Sequence, residues 1–362
     1  MLDFTSSLYL GMQHPAWTLS DWTALTLGKP AALESPPGAE ELESGLAALT
    51  GCEAALLATS TLHAFFDLFA ALAGPRTTVL IDHSAYPISG WAVRRAGAHT
   101  RVRFFPPCDF EALHWLLRRS SGFRPLVVTD GVAPISGVPA PLAAYSKLAA
   151  MYGGFVVVDD TQALGILGSS PGGCPPYGRG GGGSLQHAGI RSNEVIIVSS
   201  LAKALGVPVA MIGGSRSIVD RLRSSGLMRK HASPPSVAVI SAGIQALEAN
   251  RRDGDRLRNK LARSVARFRK GLIRTGIAAN GTLFPVQPLH LHRGQAFPVY
   301  GMLLRQGIRA VLQRNAAGSA QISFLLTARH SSEDIDEVLA ALAHAVRTKA
   351  RITGVDRYDS KS

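Results

Sequence analysis

The stretch VIIVSSLAKALG, Val195 to Gly206, runs from an apolar segment of strand length into a lysine that stands among Ala202, Ala204, Leu205 and Gly206. Apolar company disfavours the charged form of an amine and lowers its pKa, so Lys203 reads as a partly desolvated, reactive lysine. Upstream, FVVVDD, Phe155 to Asp160, is a second apolar run that ends in paired acids. Side chains alternate along a strand, so the two carboxylates face opposite ways. An amine that condenses with an aldehyde, and an acid that keeps a ring nitrogen protonated, are the two groups that pyridoxal phosphate chemistry requires.

Outward from this pair, apolar runs of strand length alternate with amphipathic stretches of helix length, the pattern of a parallel sheet covered on both faces. Strands are expected at Ala54 to Ala58, Thr78 to Asp82, Thr100 to Phe105, Leu126 to Thr129, Phe155 to Asp159, Val195 to Val198 and Val209 to Gly213. A long helix is expected from Ser236 to Arg274, broken near Asp253 and Gly254. A smaller α+β region follows, and its last helix opens on SSEDID, a serine cap with acids in the first turn. The expected fold class is therefore α/β: a large domain with a mostly parallel seven-stranded sheet covered by helices, plus a smaller C-terminal α+β domain. Residues 1–37 are expected to form an N-terminal arm, 38–240 the large cofactor-binding domain, and 241–362 the small domain with the linking helix. Gly168 to Gly189, rich in glycine and proline, reads as a mobile surface loop.

With 362 residues, 46% of them hydrophobic and 17% charged, the chain has the composition of a globular protein with extensive buried surface. It lacks a run of about 18 uncharged apolar residues, and its start lacks the pattern of a signal peptide, so a cytoplasmic location without membrane contact is expected. Cys52, Cys108 and Cys174 have no spacing that suggests a disulfide framework or a zinc site. The net charge of +13 is concentrated in Arg216 to Lys230 and Arg251 to Arg274, but no nucleic-acid motif accompanies it, and a solvated helix face is the expected reading.

Five segments, in order, resemble the α-oxoamine synthase branch of fold-type I pyridoxal phosphate enzymes: SSLYLGMQHP at Ser6 to Pro15, GAEELESGLAALTGCEAALLATST at Gly38 to Thr61, VVVDDTQALGILG at Val156 to Gly168, SSLAKALG at Ser199 to Gly206, and LLTARHSSEDID at Leu325 to Asp336. That family includes 8-amino-7-oxononanoate synthase and serine palmitoyltransferase. The resemblance implies that Lys203 bonds the cofactor aldehyde and that Asp159 pairs with the pyridinium nitrogen. It also implies that Ser60, Thr61 and Leu62, between a strand and a helix, hold the phosphate with backbone N–H groups and hydroxyls. Ser200 matches a hydroxyl that reaches the same phosphate. Tyr86 stands where the family has a ring-stacking histidine, with His83 as the rival if the alignment slips. Gln162 replaces a histidine near the phenolic oxygen, where an amide can still hydrogen-bond but cannot act as acid or base. His63, on the helix after the phosphate loop, is placed to cap that loop or pack near the cofactor.

The departure with most consequence is at GSAQISF, where the family carries a carboxylate-clamping arginine and this chain has Gln321 and Ser323. A neutral amide replaces a planar fork of charged donors, leaving Arg309, Arg314, Gln321 and Ser7 as candidate substrate-binding residues. Three functions remain open: an acyltransferase that condenses an amine or amino acid with an acyl thioester on coenzyme A or acyl carrier protein; an aminotransferase or lyase acting on a substrate without a conventional α-carboxylate; and a non-catalytic family member. The resemblance also implies a homodimer.

Overall fold

The computed structural model describes residues 1–355 apart from 98, 171, 172, 174, 279–281, 292, 293 and 315–319. In order, the chain forms β1 (Leu2–Asp3), α1 (Ala39–Thr50), β2 (Ala54–Ala58), α2 (Thr61–Leu72), β3 (Thr77–Asp82), α3 (Pro87–Ala96), β4 (Arg101–Phe105) and α4 (Phe110–Arg119). There follow β5 (Arg124–Asp130), α5 (Leu142–Met151), β6 (Phe155–Asp159), α6 (Ser184–Ala188), β7 (Val195–Ser200), β8 (Ala210–Gly214), α7 (Arg216–Ser225), α8 (Leu227–His231) and α9 (Val237–Arg274). The last elements are β9 (Val286–Pro288), α10 (Ala296–Arg305), β10 (Ile308–Arg309), β11 (Val311–Arg314), β12 (Ala320–Leu325) and α11 (Ser332–Val355). Two compact units result: one of residues 12–134 and 139–256, the other of residues 1–11, 135–138 and 257 onward. The division falls inside α9, and the sequence-derived boundary at 240 and 241 lies near the start of the same helix.

The larger unit is built on a seven-stranded sheet of order β2-β8-β7-β6-β5-β3-β4. β8 runs antiparallel to both neighbours, and the other pairings are parallel. The central strands are continuous apolar runs because helices cover both faces; all six residues of β3 are buried. On one side Phe65, Leu68 and Phe69 of α2 pack against Val79, Leu126, Val157 and Ile196 of the sheet. Truncating a fully buried ring such as Phe65 to alanine costs about 3–5 kcal/mol.

In the smaller unit β11, β12 and β9 form an antiparallel sheet, while β1 pairs with β10 in parallel. Phe4 is fully buried, stacks on His330 at 4.2 Å and meets Phe324 edge-on at 5.5 Å. The segment before α11 is a reciprocal cap: Asp334 N donates to Ser331 Oγ at 3.1 Å, and Ser331 N donates to Asp334 Oδ2 at 2.8 Å.

Two expectations are corrected. The long helix is unbroken: Gly254 is buried inside α9, and its cost of about 1 kcal/mol relative to alanine is absorbed by packing along a 38-residue helix. The described part of the glycine-rich stretch is pinned rather than loose. Tyr177 is 4% exposed, Gly181 to Leu185 are buried, and bridges join Ser169 to Arg179 and Leu164 to Gly182. Glycine serves close backbone approach there: at Gly183, φ is 89°, and a Cβ would fall on the Asp160 carboxylate. Cys52 and Cys108 are free thiols, and Cys174 lies outside the described residues. Among the described residues, no helix is long and apolar enough to cross a membrane, and no cluster of three or more side chains could hold a metal ion.

Candidate active site

Register brings distant segments to one edge of the large sheet. Ala58 at the end of β2 lies beside Ala210, and Ala210 lies beside Ser200 at the end of β7. Val198 of β7 lies beside Asp159, and Asp159 lies beside Asp130, the last residue of β5. Neighbouring strands are about 4.8 Å apart, so the residues that follow β2 and β7 emerge two strand spacings from each other. This is the carboxyl edge of the parallel strands, where open α/β sheets bind ligands.

Asp159 is 6% exposed, and its Oδ1 accepts the Thr161 N–H at 3.0 Å. Thr161 Oγ1 in turn accepts the Ser200 N–H at 3.0 Å, which ties the turn after β6 to the end of β7. Burial raises the Asp159 pKa, while the Thr161 hydrogen bonds and the nearby Lys203 charge oppose the rise. Lys203 is part-buried on the bend after β7; burial lowers its pKa, and the Asp159 and Asp130 carboxylates pull it back up. The amine is therefore held between desolvation and two acids.

Asp130 was not singled out in the sequence, although LVVTD ends an apolar run on an acid as VVVDD does. It is 4% exposed, and its Oδ1 accepts the Tyr86 N–H at 3.0 Å. Burial, then the Asp159 charge, drive its pKa well above the carboxylate range. The Thr161 hydrogen bonds and the Lys203 charge favour the Asp159 anion, whereas burial and the Asp159 charge disfavour the Asp130 anion. Asp82, at the end of β3, was missed for the same reason; its Oδ1 accepts from Ser84 N and Oγ, and its Oδ2 accepts from the Tyr145 hydroxyl at 3.2 Å.

Asp160 turns away from Asp159 as alternation requires. Fully buried, it accepts hydrogen bonds from Ser184 N and Oγ at the start of α6, and burial raises its pKa to about 7. Tyr86 precedes α3 and is 55% exposed, leaving a ring face open; it borders a cavity of about 220 Å³ with Asp82, His83, Trp91, Arg94 and Phe104. His83 stacks on Phe104 at 5.3 Å. Gln162 is buried in the turn after Asp160, and Ser200 Oγ accepts the Ala202 N–H at 3.2 Å.

At the start of α2, Ser60 is the N-cap, with Oγ accepting the His63 N–H at 3.3 Å. Thr61 and Leu62 are the first two helical residues, and their N–H groups belong to the unpaired first turn. The helix dipole and these donors suit a dianion. A buried anion at Asp159, a desolvated amine at Lys203 and an anion-binding turn after Ala58 share one sheet edge, so the residues present fit pyridoxal phosphate.

The remaining candidates belong to the smaller unit. Arg309 pairs in register with Asp3, whose carboxyl its charge helps to hold down. The Arg314 guanidinium lies 4.6 Å from the centre of the Phe297 ring, and Gln321 sits opposite Gln313 in the β11–β12 ladder. Ser7 is part-buried, and its carbonyl accepts the Tyr9 N–H.

The profile of the family described as aminotransferase class I and II matches residues 1–342, and the chain belongs to that family. It is a pyridoxal phosphate-dependent transferase of fold type I. Its relatives include the 8-amino-7-oxononanoate synthase of Methylococcus capsulatus, 33% identical over 371 residues that span 96% of this chain and 90% of that one. The corresponding enzyme of Halorhodospira halophila is 33% identical over 320 residues, 86% of this chain and 75% of that one. Among solved structures, the serine palmitoyltransferase of Sphingomonas wittichii superposes with a TM-score of 0.86 at 20% identity, covering 98% of this chain and 88% of that one. An 8-amino-7-oxononanoate synthase from Francisella tularensis gives 0.76 at 18% identity, covering 97% and 99%.

Proposed function

We propose that this chain is an α-oxoamine synthase-like acyltransferase that condenses an amine or amino acid with an acyl thioester carried on coenzyme A or acyl carrier protein, working as a homodimer. The observation that carries the reading is the meeting of Lys203, Asp159 and the α2 N-terminus at one sheet edge, in a chain about one-third identical to 8-amino-7-oxononanoate synthases. Bound pyridoxal phosphate supplies an electron sink for charge that develops at the substrate Cα.

The side chains do the rest. Lys203, whose pKa burial lowers, is the base proposed to remove the substrate Cα proton. Asp159 would pair with the ring nitrogen and favour its protonated form, and its neighbour Asp130, pushed toward its neutral form by burial, does not compete for that role. The N–H groups of Thr61 and Leu62, with the hydroxyls of Ser60, Thr61 and Ser200, hold the phosphate. Tyr86 offers its exposed face to the ring, and the Gln162 amide donates to the phenolic oxygen.

Purified protein with an amino acid and an acyl-coenzyme A should release free thiol, read with a thiol reagent; no thiol across a broad panel of both substrates would overturn the assignment. A second reading, transamination, is favoured by Gln321 and Ser323 standing where a carboxylate clamp is expected. It would show itself as amine-dependent formation of pyridoxamine phosphate without thiol release.

A further inference from the structure

His63 has no task in the reaction as described. Its Nδ1 lies 2.8 Å from Thr59 Oγ1 and 2.9 Å from Ser60 Oγ, so two hydroxyls share one ring nitrogen. The proton on that nitrogen biases where the hydroxyl protons go. When Nδ1 is bare, its one lone pair draws an O–H of Thr59 or Ser60 inward and away from the mouth of α2. When Nδ1 carries hydrogen, the ring donates and both O–H bonds are released outward. A phosphate dianion accepts hydrogen bonds and donates none, so it is served by the second arrangement. Imidazole reaches that arrangement by a change of tautomer, with no change of net charge. Asp67 and Arg229 line a cavity of about 20 Å³ with His63: Asp67 Oδ1 accepts the Met228 N–H at 2.6 Å, and Arg229 Nη2 donates to the Ala31 carbonyl at 2.7 Å while its Nε is buried without a hydrogen-bond partner.

We propose that His63 is a positioning residue of the phosphate subsite: its Nδ1–H turns the hydroxyls of Thr59 and Ser60 into donors for the cofactor phosphate. This rests on the reading that pyridoxal phosphate binds with its phosphate at the α2 N-terminus.

The test titrates the full chain and its His63→Leu and His63→Asn variants with pyridoxal phosphate and with pyridoxal, which lacks the phosphate, following visible absorbance. His63→Leu should weaken pyridoxal phosphate binding about tenfold and leave pyridoxal within about twofold. His63→Asn, whose amide N–H replaces the Nδ1–H, should recover most of the loss. Nitrogen NMR of the loaded wild type should find Nδ1 protonated. Unchanged pyridoxal phosphate affinity in His63→Leu, an equal loss for both ligands, or a bare Nδ1 in the loaded protein would overturn the proposal while leaving the cofactor assignment standing. A wild type that binds neither ligand would overturn both.

Discussion

Asp130 and Asp159 are register partners at the ends of adjacent parallel strands, one accepting the Tyr86 N–H and the other the Thr161 N–H. Their environments separate them: burial and the Asp159 charge push Asp130 toward its neutral form, while the Thr161 hydrogen bonds and the Lys203 amine favour the Asp159 charge. Substitution should therefore be asymmetric. Asp159→Asn removes the acid proposed to face the ring nitrogen and should lower turnover by about 10²- to 10⁴-fold. Asp130→Asn leaves that acid in place and should cost about tenfold or less. Steady-state rates of the two variants check this, and equal losses would contradict the charge assignment.

Lys203 is the proposed point of covalent attachment. Borohydride reduction in the presence of pyridoxal phosphate should fix the cofactor on the peptide that contains Lys203, as read by mass spectrometry. Lys203→Ala should leave that peptide unlabelled and turn over about 10²- to 10⁴-fold more slowly. Label on another lysine would displace the assignment.

Much of the large sheet was legible because strands buried on both faces are unbroken apolar runs, as in Val156 to Val158 and Val195 to Val198. The four-residue β11, VLQR, has no such run and was not anticipated. Gly254 reads locally as a break, yet α9 packs through it. The glycines near 181 to 183 read as flexibility, whereas Gly183 makes room for the Asp160 carboxylate and Gly182 for the Leu49 carbonyl. Lys203 and Asp159 stand out because each leaves an apolar strand. The partnership of Asp130 with Asp159 depends on strand register, which no local motif encodes.

Asp160 makes stability depend on pH. Its folded pKa of about 7 lies above the unfolded value of about 4, so between those values the folded chain holds a proton that the unfolded chain has lost. Its contribution is fully present below about pH 4 and is lost as pH rises through about 7. Urea unfolding at several pH values should show Asp160→Asn with a shallower decline across that window than wild type. Parallel pH profiles would contradict it.

The reciprocal cap at Ser331 and Asp334 starts α11. Ser331→Ala should cost about 1 kcal/mol of unfolding free energy in a denaturant titration, without altering pyridoxal phosphate affinity. A loss below a few tenths of a kcal/mol would mean that the helix start is held by packing alone.

Ala58 and Ser200 are both register partners of Ala210 on β8, the last strand of the seven-stranded sheet in chain order. Until that strand slots between its two antiparallel neighbours, the anion-binding turn and the reactive lysine belong to separate pieces of chain. A cofactor site that needs both pieces therefore waits for β8 to pair with β2 and β7.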